Sequence, residues 1–260
     1  MSKGSVYYSI EEKIAIVTID HPPMNALDVF TRKELEQVFD ELDEQREDIR
    51  AVILRGAGDK AFVAGADIKV FLDDTPEKAK RRLSMTYRIF SKVENFQWPV
   101  IAAIKGYCLG AGLELALSCD IRYAEEESKF GFPEVNLSIF PGNSGTKRAL
   151  YYLGIGKLKE LVFTGEMIDA QDALKIGLVE KVVPQGQVLD KCKALAYKIA
   201  QKGPLGIIAA KKVLNRNRDL TLEQGLELES DIWSSLAGSE DVKEGARAFL
   251  EKRKPVYKGR

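Results

Sequence analysis

The stretch Gly106-Tyr-Cys-Leu-Gly110-Ala-Gly112-Leu-Glu114 joins two segments of different character. Before it, residues 99–104 (PVIAAI) form a short apolar run that reads as a buried strand. After it, residues 113–117 (LELAL) begin a helix. Strand, glycine turn and helix in succession point to an α/β fold. A dinucleotide loop wants three glycines spaced G-x-G-x-x-G. Gly110 and Gly112 supply two, and Leu115 stands where close helix–sheet packing calls for the third. Another use fits better. Free N–H groups at a helix start, helped by the helix dipole, stabilise an oxygen that gains negative charge. Ala111 supplies one such N–H. A second can come from Ala66 in Gly65-Ala66-Asp67-Ile68, where small residues let a ligand approach the backbone. One oxyanion donor is typically worth about 3–4 kcal/mol in a transition state. A tight turn with no ligand is the alternative for either loop.

Outward from this stretch, strands keep alternating with helices. Residues 14–20 (IAIVTID) and 51–54 (AVIL) read as strands, with residues 121–124 as another. Residues 61–69 (AFVAGADIK) and 129–134 read as loops. Thr31 to Glu34 reads as a capping box, and Leu35, Val38, Phe39 and Leu42 continue one apolar helix face. Asp74-Thr75-Pro76-Glu77 opens a helix running to about residue 96. Its cluster Lys78, Lys80, Arg81 and Arg82 is either a solvated face or a phosphate contact. After Pro184 the pattern is helical only, near residues 188–201, 204–215, 222–236 and 241–252. The expectation is an α/β body over residues 1–195 with a helical appendage over 196–260. Leu222, Leu226, Ile232, Trp233 and Leu236 on that appendage need a surface to cover, either the body or a second copy of the chain.

Bulk properties exclude several classes. Lys plus Arg and Asp plus Glu each number 39 in 260 residues, so the basic surplus of a nucleic-acid binder is missing. The start MSKGSVYYSIEEK shows no secretory pattern, and no apolar run could cross a bilayer. Cys108, Cys119 and Cys192 are odd in number and lack metal-binding spacing, which fits a reducing cytoplasm and no metal site. His21 is the single histidine, in a turn-like HPPMNAL stretch. Mechanisms that need a placed histidine therefore lose ground, and proton transfer falls to carboxylates.

Glu114 and Glu134 are the candidates. Glu114 lies in the first turn of its helix, where the dipole favours a negative charge. Glu134 follows Pro133 in what reads as a loop. Spacing alone does not bring them together, and two surface acids are the alternative.

Three segments in order carry a resemblance: AFVAGADIK, then GYCLGAGLELALSCDIRYA, then KFGFPEVNLSIFPG (residues 61–69, 106–124 and 129–142). They resemble the crotonase (enoyl-CoA hydratase/isomerase) family, with similarity from about Ile14 to the C-terminal FLEKRKPVYKG. The resemblance implies a spiral of ββα units with a C-terminal helical region used in trimers or dimers of trimers. It implies that Ala66 and Ala111 give the oxyanion N–H groups and that Glu114 and Glu134 face one water between them. It implies an enoyl-CoA hydratase adding water reversibly to a 2-enoyl-CoA. Glu114 would activate the water and Glu134 would transfer a proton at C2. No metal or redox cofactor is expected, coenzyme A being part of the substrate. Contacts to CoA are implied for Met24, Ala66, Asp67, Ile68 and Lys69, and Gly142 matches a position near the catalytic water. Phe249 and Lys252 match positions that reach CoA, often from a neighbouring subunit.

The chain departs from the common hydratase pattern at Ala111, where Gly is usual, and at Ser138, Asn143, Ser144 and Lys147. Rival readings keep the family but change the reaction to isomerase, dehalogenase, hydrolase or decarboxylase. They typically lack one of the two glutamates. A non-enzymatic RNA-binding role would need a basic-aromatic stripe, and a spiral-fold peptidase would need a better-placed histidine.

Overall fold

All six residues of the strand Ile14–Ile19 are buried in the computed structural model, which describes residues 5–260. The first four residues of the N-terminal segment read above lie outside the described residues. In chain order the strands are β1 (Val6–Glu11), β2 (Ile14–Ile19), β3 (Ala51–Gly56), β4 (Ala61–Ala64), β5 (Val100–Ile104), β6 (Tyr107–Leu109), β7 (Ile121–Glu125), β8 (Lys129–Gly131), β9 (Met167–Asp169) and β10 (Lys181–Val183). The α-helices are α1 (Val29–Glu44), α2 (Pro76–Glu94), α3 (Ala111–Ala116), α4 (Gly145–Arg148), α5 (Ile155–Thr164), α6 (Ala170–Lys175), α7 (Val188–Ala200), α8 (Pro204–Asn217), α9 (Leu222–Leu236) and α10 (Glu240–Leu250).

The strands form two sheets. The larger has the order β1-β2-β3-β5-β7-β10, parallel except for the β1–β2 hairpin. The smaller has the order β4-β6-β8-β9, with only β8–β9 antiparallel. The alternation explains the topology. β3, β5 and β7 lie in the large sheet, and each is followed by a short strand in the small one, β4, β6 and β8. A helix follows β4 and β6, so the chain advances in strand–strand–helix units. Because β4, β6 and β8 are neighbours in parallel, Ala64 sits opposite Leu109 and Leu109 opposite Gly131. The residues just beyond these strand ends therefore leave the sheet on the same edge.

Apolar residues fill both faces of the large sheet. One layer gathers Leu35, Phe39, Leu54, Phe90, Ala102 and Leu113. On the other face Ile16, Ile53 and Ile101 meet Val188, Cys192 and Ala196 of α7, spaced one turn apart. The boundary expected at residues 195/196 thus falls inside a helix that packs on the body. All three cysteines are free and buried.

Some expected elements change. AFVA and Lys129–Gly131 are strands, not loops; their runs are too short to carry a period. Thr31 does not cap α1. Asp28, three residues earlier, accepts from Thr31 N at 2.7 Å and starts the helix there. Glu34 instead accepts from Ser5 N at 2.8 Å and Val6 N at 3.1 Å, tying β1 to α1.

The C-terminal helices are anchored to the body by a buried cation. Lys211 on α8 donates to Asp120 Oδ2 at 2.7 Å and to Trp98 O at 3.0 Å, and Asp120 also accepts from Val100 N at 2.7 Å. Removing the lysine would leave a buried carboxylate without its counter-charge. Lys211→Met is expected to lower unfolding stability by about 3 kcal/mol in urea denaturation, with part of the loss recovered in the Lys211→Met/Asp120→Asn double variant.

Candidate active site

Three of the strand ends of the small sheet meet at one cavity of about 570 Å3. Gly65 and Ala66 leave β4, Gly110 and Ala111 leave β6, and Pro133 and Glu134 follow β8. All six residues line the cavity. The backbone at two of these ends is free to serve a ligand. Leu27 forms a parallel bridge with Ala66 but bonds to Gly65 O, at 3.0 Å, so the bridge leaves Ala66 N–H unused. Ala111 is the first residue of α3, where an N–H has no intrahelical partner. Among the described residues neither N–H donates to protein.

The two carboxyl groups come together here. Glu134 is on the cavity wall, in a short 3-10 helix Pro133–Leu137 rather than in a loop. Pro133 takes the first helical position, where its missing N–H costs nothing, and so starts the turn. Glu114 is fully buried in α3 and lies just off the wall. Its Oε1 accepts from Gly145 N at 2.7 Å, and its Oε2 accepts from Asn143 Nδ2 at 2.8 Å. Asn143 is itself a wall residue.

Their protonation follows from these surroundings. Burial raises the Glu114 carboxyl above its ordinary range, while the Asn143 amide and the Gly145 N–H pull it back towards the charged form. Burial also raises Glu134, and the neighbouring Glu114 charge raises it further, to about 7. Glu134 Oε2 is buried with no partner. The charged form is better supported at Glu114, both of whose oxygens accept hydrogen bonds, than at Glu134, whose Oε2 has no donor.

Glycine is required where the two acids crowd the backbone. Gly110 has φ 51° and ψ −123°, and a methyl there would come within 2.8 Å of Glu134 Oε1. A Cβ at Gly145 would meet Glu114 Cγ and Oε1 at 2.9 Å.

The remaining sequence candidates divide cleanly. Asp67, Ile68 and Gly142 line the cavity with Ala66. Met24 does not; it lines a separate surface cleft with Lys60, Lys105 and Tyr107. Lys69 points to solvent and is off the wall. Phe249 is 84% exposed at the end of α10, and Lys252 is exposed just beyond it; neither reaches the cavity of its own chain. Asn143 and Gly145 were not singled out as partners of Glu114, since their contact spans about thirty residues with no local period. Arg32, buried on the cavity wall, was also missed. Its signal was available: it lies one turn before Leu35 on the apolar stripe of α1. No cluster of side chains able to hold a metal ion is found among the described residues.

A family model described as enoyl-CoA hydratase/isomerase matches residues 9–260. The chain belongs to the enoyl-CoA hydratase/isomerase family. A short-chain-enoyl-CoA hydratase of Clostridium acetobutylicum is 40% identical over 255 residues, covering 98% of this chain and 97% of that one. A crotonyl-CoA hydratase of Syntrophomonas wolfei is 37% identical, with 99% of each chain covered. The crystal structure of an enoyl-CoA hydratase from Bacillus anthracis superimposes with a TM-score of 0.94 at 37% identity, over 98% of this chain and 100% of that one. The two-sheet spiral described above is thus the crotonase fold, as expected from the three ordered segments.

Gly110→Ala is expected to destabilise the protein by about 1–3 kcal/mol, from backbone strain and the clash with Glu134. A shift of the urea midpoint at unchanged slope would show it; an unchanged midpoint would contradict the geometry.

Proposed function

We propose that the protein is an enoyl-CoA hydratase, adding water reversibly and syn across the double bond of a 2-enoyl-CoA to give a 3-hydroxyacyl-CoA. The observation that carries the reading is the pairing of a donor-supported Glu114 with a Glu134 raised to about 7, beside two unused backbone N–H groups. The names of the relatives support the same reaction class.

In this mechanism the thioester oxygen accepts hydrogen bonds from Ala66 N–H and Ala111 N–H, which draws electrons away from C3. A water held between the carboxyl groups loses a proton to Glu114, and its oxygen bonds to C3. The double-bond electrons move onto C2 and the thioester oxygen. Glu134 gives its proton to C2, and the proton held by Glu114 restores Glu134 before the next turnover. With both carboxyl groups on one side of the bound acyl chain, hydrogen and hydroxyl add to the same face. Reversal dehydrates a 3-hydroxyacyl-CoA. The steps require no resident metal or redox cofactor; coenzyme A arrives as part of the substrate, with Asp67, Ile68 and Gly142 beside it on the wall.

The same proposal covers assembly and location. Leu222, Trp233, Phe249 and Leu250 are 69–84% exposed on α9 and α10, a large apolar surface for a single copy. It supports a homo-oligomer, a trimer or dimer of trimers, in which Phe249 and Lys252 reach the CoA of a neighbouring copy. No helix among the described residues is long and apolar enough to cross a membrane, and three free buried cysteines suit the cytoplasm. No nucleic-acid role is proposed for a chain of zero formal charge.

An isomerase would move a proton between C2 and C4 with one carboxyl group and no water. The test separates the two. Crotonyl-CoA should lose its conjugated absorbance with the wild type, and Glu114→Gln and Glu134→Gln should each slow the loss by about 10²–10⁴-fold. In the hydration direction kcat/KM should fall as pH rises through about 7, because Glu134 must carry its proton. Binding of CoA esters with no change in absorbance at any chain length would defeat the hydratase reading and favour another reaction of the family.

A further inference from the structure

Arg32 is a cation on the wall of an otherwise largely apolar chamber. It is 2% exposed, and its Nε is one of the few buried side-chain polar atoms without a hydrogen-bond partner among the described residues. No ion pair or side-chain hydrogen bond is formed by its guanidinium among those residues. The stripe it belongs to, with Leu35, Val38, Phe39 and Leu42, is the buried face of α1, where an apolar side chain would serve packing alone.

The acids near it are already engaged. Both oxygens of Glu114 accept from Asn143 and Gly145. Asp28 caps α1 through Thr31 N. The other arginine on the wall, Arg82, is matched by Asp74, which accepts from Nη1 at 3.0 Å and Nη2 at 2.5 Å. Glu114 and Asp28 act on Arg32 through space, and burial with the like charge of Arg82 lowers its pKa only to about 10. It therefore stays charged at neutral pH. Through-space compensation leaves the buried Nε–H donor itself unmet, and such a donor is costly to leave so. Val29, Ile68, Leu83 and Leu137, also on the wall, offer nothing to accept from it.

We propose that Arg32 receives a carboxylate at the far end of the acyl chain, so that the preferred substrates are short 2-enoyl thioesters ending in a carboxylate rather than a methyl group. A planar guanidinium matches a carboxylate with two parallel hydrogen bonds, and the ligand would bring in direct contact the counter-charge that Glu114 and Asp28 supply only through space. The cavity, about 570 Å3, holds Arg32 together with Glu134, Ala66 and Ala111, so one acyl chain spans the reacting end and the cation. This rests on the proposed entry of acyl-CoA into the cavity, and it deepens that reading by naming the tail.

The test compares saturated, unreactive thioesters of equal length by titration calorimetry: glutaryl-CoA against pentanoyl-CoA and adipyl-CoA against hexanoyl-CoA. The wild type should bind the carboxylated member of at least one pair about tenfold more tightly or better. Arg32→Met should abolish or reverse that preference. Equal or tighter binding of the apolar member in both pairs by the wild type overturns the proposal without needing any variant to fold. So does a carboxylate preference that survives Arg32→Met. Hydration of crotonyl-CoA, measured alongside, keeps the readings apart. A tail preference without hydration contradicts the hydratase and upholds the Arg32 subsite. Hydration without a tail preference contradicts only the subsite.

Discussion

Glu114 is an acid at zero exposure, and the structure around it meets both of its carboxyl oxygens with donors. A buried charge must be met by donors or be neutralised. Two donors come from a segment about thirty residues away, Asn143 Nδ2 and Gly145 N. That segment can approach because position 145 lacks a side chain, its missing Cβ being the room that Glu114 Cγ and Oε1 occupy. Burial raises Glu134, and a charge on Glu114 beside it raises it further. The unequal pair is a consequence of burial and donor placement. The helix start at Glu114 adds a little to the same side of the balance.

The small sheet supplies the geometry. Parallel neighbours β4, β6 and β8 end level with one another, so three separate sequence segments deliver their next residues to a single edge. Ala66, Ala111 and Glu134 are all such residues. Gly112 permits the close approach this needs, since a Cβ there would lie 2.0 Å from Val63 O on β4. Helix α3 therefore sits tightly against the strand that carries the other backbone donor. The methyl of Ala111, unusual for the position in hydratases, is accommodated at 3% exposure and leaves the N–H in place.

Much of this was legible in the sequence, for physical reasons that differ by element. The long helices α2, α7, α8 and α9 declare themselves by apolar period and caps, and the structure moves their ends by no more than two residues. The strands of the large sheet are apolar runs and were equally clear, apart from β1 and β10. The small sheet was not. β4, β6 and β8 are three or four residues long and read as turns or loops, so the strand–strand–helix unit came from resemblance alone. Ala66, Ala111 and Glu134 line one cavity, with Glu114 buried just off it, and the ordered segments carry all four residues; the roles given to them come from the resemblance. Met24, Lys69, Phe249 and Lys252 were carried over by position and do not reach that cavity in a single chain. Arg32 was hidden inside what looked like a capping box. A charged residue on an apolar stripe was the clue.

The central claim is that one of the paired carboxyl groups keeps its proton near neutrality and that this group is Glu134. Infrared spectroscopy of the carboxyl C=O stretch tests it directly, using the wild type, Glu134→Gln and Glu114→Gln across a pH series. The account predicts a protonated-carboxyl band in the wild type that fades as pH rises through about 7 and is missing from Glu134→Gln at every pH in that range. A band that survives in Glu134→Gln but disappears in Glu114→Gln, or no such band in the wild type, would contradict it.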